Sequence, residues 1–162
     1  MNRSFAPMLS ALAATCLLAA CTSTPEPAPA PPPPPPTSFD QTLSGDALFA
    51  FGKADIDSLS AQGRTELDAL AARVLAVPAL DVVHVIGHSD RIGKDAANVE
   101  LSRKRAAAVR DYLVQAGVPS GKVTAVGRGS VEPVVECTAE KGQALIDCLA
   151  PNRRVDVKVM LP

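Results

Sequence analysis

Between residues 22 and 38 the chain reads TSTPEPAPAPPPPPPTS, and nine of its fifteen prolines fall there. Proline fixes φ and has no N–H, so this run can join neither a helix nor a sheet ladder. It predicts an extended polyproline spacer of about 3.1 Å per residue, a reach of roughly 50 Å. Any packed domain must therefore lie on one side of it. The 21 residues before it are too few, whereas the roughly 120 after it can bury one core.

Composition removes several function classes. Sixteen Lys and Arg face seventeen Asp and Glu, a net charge of −1 with a pI near 6.1. No basic face is implied, so no nucleic-acid partner is expected. Trp is absent, and the aromatics are Phe5, Phe39, Phe49, Phe51 and Tyr112, too few for a stacking platform. A membrane barrel needs about eight or more strands of alternating residues, and the second half of the chain reads largely as helices.

Residues 1–20 read as a leader outside the fold. Arg3 is their only charge, and Met8–Ala20 (MLSALAATCLLAA) is apolar and small. That stretch is short for a spanning helix, which needs about 20 apolar residues, but it suits a secretory h-region. Its end, Leu18-Ala19-Ala20-Cys21, resembles the lipobox of bacterial lipoproteins. The resemblance implies cleavage before Cys21 and acylation of that residue, which would anchor the chain stably in a bilayer. Thr22, where an Asp resembles an inner-membrane retention signal, implies the outer membrane.

With Cys16 in the leader and Cys21 as anchor, Cys137 and Cys148 remain, with ten residues between them. In an exported chain they read as one disulfide. No metal site or cofactor is expected. The only histidines, His84 and His88, sit four apart on a predicted strand, hence about 13 Å apart, and read as structural or solvent-facing.

Periodicity organises the rest, from about Thr42, with residues 21–41 as anchor and linker. Ala47–Gly52 (ALFAFG) is a short apolar run that predicts a strand. Ser58 or Ser60 offers an N-cap for a helix whose Leu67, Leu70, Ala71 and Val74 form one apolar stripe. Pro78 marks its end. Leu80–Gly87 (LDVVHVIG) reads as a central strand. A second helix runs from about Asp95 to Ala116 and stops at Gly117 and Pro119. Val123–Val126 is a third strand, Glu140–Cys148 a short helix, and Arg154–Met160 (RVDVKVM) an alternating last strand. The order β-α-β-α-β-(short α)-β predicts an α/β two-layer sandwich, a mixed four-stranded sheet with helices on one face.

Chemistry concentrates at the end of the central strand. Gly87-His88-Ser89-Asp90 precedes a helix on which Asn98, Leu101, Ser102 and Arg105 share one face, continued by Val109, Tyr112 and Leu113. An arginine on an inward stripe needs a partner, because an unpaired buried charge is costly. On spacing alone, Asp90–Arg105 reads equally as a structural ion pair, and Arg105 as a side chain reaching the surface.

Gly87-His88-Ser89-Asp90-Arg91-Ile92-Gly93, then Asn98-x-x-Leu101-Ser102-x-x-Arg105-Ala106, resembles the central motif of the OmpA-like C-terminal domain family. Leu145–Val159 (LIDCLAPNRRVDVKV), with its cysteines, resembles the OmpA branch, and Leu48-Phe49-Ala50-Phe51 also fits. The resemblance spans about residues 45–160 and implies a domain that binds peptidoglycan without cutting it. The implied ligand is the free amino-acid end of meso-diaminopimelate in the stem peptide, a zwitterion. Asp90 would take its ammonium and Arg105 its carboxylate, with a guanidinium fork suited to bidentate contact. Ser89 and Asn98 would add hydrogen bonds and Leu101 an apolar wall. Either Arg153 or Arg154 would line the site. Because alternation puts Arg154 opposite Val155 and Val157, Arg154 is the expected one. Ser89 stands where the family usually has Thr, which keeps the hydroxyl.

An exported enzyme acting on the wall is a weaker reading. Hydrolysis calls for a metal cluster, a Cys-His pair or two carboxylates with one raised pKa, and the thiols are assigned to a disulfide. The alternative within the family is a Pal-type lipoprotein acting mainly through envelope protein partners.

Overall fold

The computed structural model describes residues 38–50 and 52–162. The leader, Cys21, most of the proline run and Phe51 lie outside the described residues. Strand β1 (Ser38–Ser44) leads to a single helical turn, α1 (Gly45–Leu48), and to helix α2 (Ala61–Leu75). Strand β2 (Val82–Gly87), helix α3 (Asp95–Gln115), strand β3 (Val123–Gly127), helix α4 (Gly142–Cys148) and strand β4 (Arg154–Met160) follow. The sheet order is β1-β4-β2-β3, with β2 and β3 parallel and β4 antiparallel to both neighbours. This is the mixed four-stranded α/β architecture expected from the pattern.

Alternation along the strands separates the faces. Leu43, Val83, Val85, Val123, Val155, Val157 and Val159 face the helices and are buried with Leu67, Leu70, Val74, Val109 and Leu113. The other face carries Thr42, His84, Thr124, Asp156 and Lys158, joined by bonds such as Thr42 Oγ1 to Asp156 Oδ1 at 2.7 Å. Ser60 caps α2, its Oγ accepting from Gly63 N at 2.8 Å, and the predicted stripe Leu67, Leu70, Ala71 and Val74 is buried. His84 lies across from Thr124 on the open face and is hydrogen-bonded to its hydroxyl at 2.8 Å.

The first strand differs from the expectation. It is Ser38–Ser44, beginning ahead of Thr42, and the described residues of the Ala47–Gly52 run form no strand. Ser44 Oγ accepts from Ala47 N and begins the turn α1, while Phe49 makes only an isolated bridge to Leu59. Leu48 and Phe49 are buried as plugs under α2 and α3. A short apolar run states burial, and burial in a turn reads the same as burial in a strand.

Candidate binding site

The loop after β2 turns back over the start of α3, and two glycines let the helix lie on the strand ends. A Cβ on Gly87 would stand 2.1 Å from Ser102 O, and one on Gly127 would stand 2.3 Å from Arg103 N. Ser102 Oγ bonds Val99 O and accepts from Gly129 N. Asn98 Nδ2 donates to Asp90 O at 3.1 Å and to Ile92 O at 3.2 Å, and Asp90 Oδ1 accepts from Ile92 N at 2.9 Å. Asn98 therefore lines the site but commits its amide donor to shaping the loop.

The result is a cavity of about 170 Å³ whose lining includes Ser89, Asp90, Asn98, Leu101, Arg105 and Arg153, together with Asp46 and Ile146. Arg105 is 3% exposed. Its Nε donates to Lys53 O at 3.1 Å, its guanidinium lies 5.6 Å from the centroid of the Phe49 ring, and its Nη1 has no hydrogen-bond partner among the described residues. Burial pulls its pKa below the usual arginine value, against the attraction of Asp46 and Asp90. Ser89 Oγ is also buried and unpartnered among the described residues.

Asp90 does not pair with Arg105. Its Oδ2 accepts from Arg153 Nη1 at 2.8 Å, and Arg153 also donates to Asp46 through Nε and Nη2 at 2.6–3.0 Å. The bonds to Asp46 above all, with those to Asp90, raise the Arg153 pKa despite burial. Two carboxylates and two guanidiniums thus share one cavity, and one guanidinium keeps a free donor edge. That arrangement can receive a group carrying both an ammonium and a carboxylate.

Arg154 is the expected site residue that the structure places elsewhere. Its Nε donates to Asp156 Oδ2 at 3.0 Å and its Nη1 to Glu132 O at 3.2 Å. The alternation that sets it opposite Val155 and Val157 also carries it away from α3, onto the open face of the sheet. Arg153 sits one residue before β4, outside the alternation, and turns toward Asp90. Sequence reasoning missed Asp46, which lies just before the misread Ala47–Gly52 run, and Ile146, whose carbonyl accepts from Arg153 Nη1 at 3.0 Å. Cys137 and Cys148 form a disulfide, with Cα atoms 6.2 Å apart.

The OmpA family model matches residues 48–146. Over 122 residues the chain is 45% identical to outer membrane protein A of Yersinia pseudotuberculosis, covering 73% of this chain and 34% of that protein. The figures for outer membrane protein A of Shimwellia blattae are 45%, 73% and 49%. The chain thus matches between about a third and a half of the length of these curated relatives. Among solved structures, the cell wall anchor of the T6SS from Pseudomonas aeruginosa superposes with a TM-score of 0.62 at 32% identity, over 77% of this chain and 82% of that one. The peptidoglycan-associated lipoprotein from Burkholderia pseudomallei does so with 0.59 at 26%, over 74% and 89%. By motif, sequence match and fold together, the chain belongs to the OmpA family.

Proposed function

We propose that this domain is a non-catalytic peptidoglycan clamp that holds the free zwitterionic end of meso-diaminopimelate. The observation that carries the reading is Arg105. Its guanidinium is buried, its Nη1 is unpartnered among the described residues, and a carboxylate stands nearby that belongs to another arginine. A ligand carboxylate on Nη1 would supply the missing partner of a desolvated cation. The ligand ammonium would meet Asp90 and Asp46, and Leu101 and Ile146 would cover its methylenes. Two of the solved relatives are by name a cell wall anchor and a peptidoglycan-associated lipoprotein, which supports the same ligand class.

With Cys21 acylated, the proline run would hold the clamp off the outer membrane on its periplasmic side and tether membrane to wall. Co-sedimentation of the full chain with purified sacculi tests this. Binding that free meso-diaminopimelate competes away is the expected result. A stem peptide with lysine at that position ends in an ammonium without a carboxylate and should compete poorly. Equal competition by free meso-diaminopimelate and the lysine peptide contradicts the clamp.

A further inference from the structure

A second cavity, of about 230 Å³, shares Ser89 with the clamp. Its floor is apolar, made by buried Leu149 and Cys137. One wall is rigid, because Asn152 Oδ1 accepts from Val134 N and Val135 N while Asn152 Nδ2 donates to Val135 O. At the rim Arg91 Nη2 donates to Cys137 O at 2.5 Å. That single bond leaves other guanidinium donors over, and Arg91 has no ion pair among the described residues. The second observation is Ser89 itself, 5% exposed, with an Oγ that has no partner among the described residues.

An apolar floor, a fixed hydroxyl and an uncompensated guanidinium suit a small residue bearing a carboxylate. We propose that this cavity is a second subsite, which takes the wall-peptide residue joined by an amide bond to the clamped diaminopimelate and meets its free carboxylate with Arg91. The inference rests on the clamp reading. Diaminopimelate separates its free end from the peptide main chain by only a short methylene spacer, so that main chain must emerge beside the clamp. Ser89 stands at the junction and can bond the linking amide, and exposed Glu136, also on the rim, can accept from its N–H. The same chemistry, a residue with a free carboxylate, exists on either flank: an isoglutamyl residue before the diaminopimelate or a terminal alanine after it.

The test is calorimetric titration of the full chain in detergent with free meso-diaminopimelate and with two dipeptides, γ-glutamyl-diaminopimelate and diaminopimelyl-alanine. One dipeptide should bind about tenfold more tightly than the free amino acid, as expected for one added charge-assisted hydrogen bond. Arg91→Ala should remove that gain and leave affinity for free diaminopimelate unchanged. Thr138→Trp, at an exposed position on the mouth of the cavity, should do the same by filling it, and thermal melts check both folds. Equal affinities for all three ligands in the wild type overturn the subsite. So does a gain that survives in either folded variant. Failure of free diaminopimelate to bind at all overturns the clamp instead.

Discussion

Arg153 donates to Asp90 at 2.8 Å, and the same guanidinium grips Asp46 at 2.6 Å on its other edge. Arg105 enters the same cavity with no carboxylate of its own within ion-pair distance among the described residues. One arginine is saturated by the protein and the other is not. Arg153 therefore organises the carboxylates, and in the proposed clamp Arg105 is the cation left to a ligand.

Exchanging Arg153 and Arg154 in turn separates the two roles. Arg153→Ala strands two carboxylates, one of them largely buried, and should cost about 1–3 kcal/mol of stability together with wall binding. Arg154→Ala removes contacts on the open face to Asp156 and Glu132, and should leave sedimentation with sacculi unchanged. Thermal melts beside sedimentation read both, and loss of binding in a folded Arg154→Ala variant contradicts the placement.

The disulfide closes a segment that carries Ile146, whose carbonyl holds Arg153, while the Cys137 carbonyl holds Arg91. Replacing Cys137 and Cys148 with serine should lower stability by up to about 3 kcal/mol in the chain-entropy model. Neither cysteine belongs to the Gly87–Arg105 motif, yet the Ile146–Arg153 contact predicts a few-fold loss of diaminopimelate affinity as well. Calorimetry of the variant checks it, and unchanged affinity shows that α4 holds Arg153 without the bridge.

How much the sequence revealed depends on whether a residue's role was local. The stripes of α2 and α3 and the alternation of β4 follow from backbone period, and they appear where periodicity puts them. Strand β1 was hidden because SFDQTLS places a polar Gln41 between Phe39 and Leu43 on its inner face, directly after the proline run. Asp46 and Arg153 were invisible as partners because they lie 107 residues apart and meet only across the folded sheet end. Arg154 was favoured by the very alternation that removes it, since the rule gives a face and not the position of the cavity.

His88 gives a pH prediction. It is buried, with Nε2 3.3 Å from Asp156 Oδ2 and Nδ1 3.8 Å from Glu132 Oε2. Burial first, then Arg154 and Arg128, push its pKa below the ordinary 6.5, against the pull of Asp156 and Glu132. The folded state therefore keeps it neutral where the unfolded chain takes a proton. Its share of stability is present above the unfolded value of about 6.5 and is lost as pH falls from there toward the lower folded value. Between about pH 7.5 and pH 5, the melting temperature of the wild type should drop more than that of His88→Gln. Equal drops contradict it.

Cys21→Ser addresses the proposed anchor, which lies outside the described residues. The substitution should abolish palmitate incorporation and leave the chain unprocessed or released from the membrane. Normal lipid labelling of the variant contradicts the lipoprotein reading.

In the proposed clamp Asp90 and Arg105 meet a ligand and not each other. The most direct measurement is sacculus sedimentation, run beside thermal melts, for the wild type, Asp90→Ala, Arg105→Ala and the swapped double variant Asp90→Arg/Arg105→Asp. Removing one partner of a desolvated charged contact costs about 2–5 kcal/mol of binding, enough to take a modest affinity out of range at about 1.4 kcal/mol per tenfold. Each folded single variant should stay in the supernatant, and the swap should restore no binding, because the fork geometry is lost. Two folded single variants that still sediment with the wall would contradict the account.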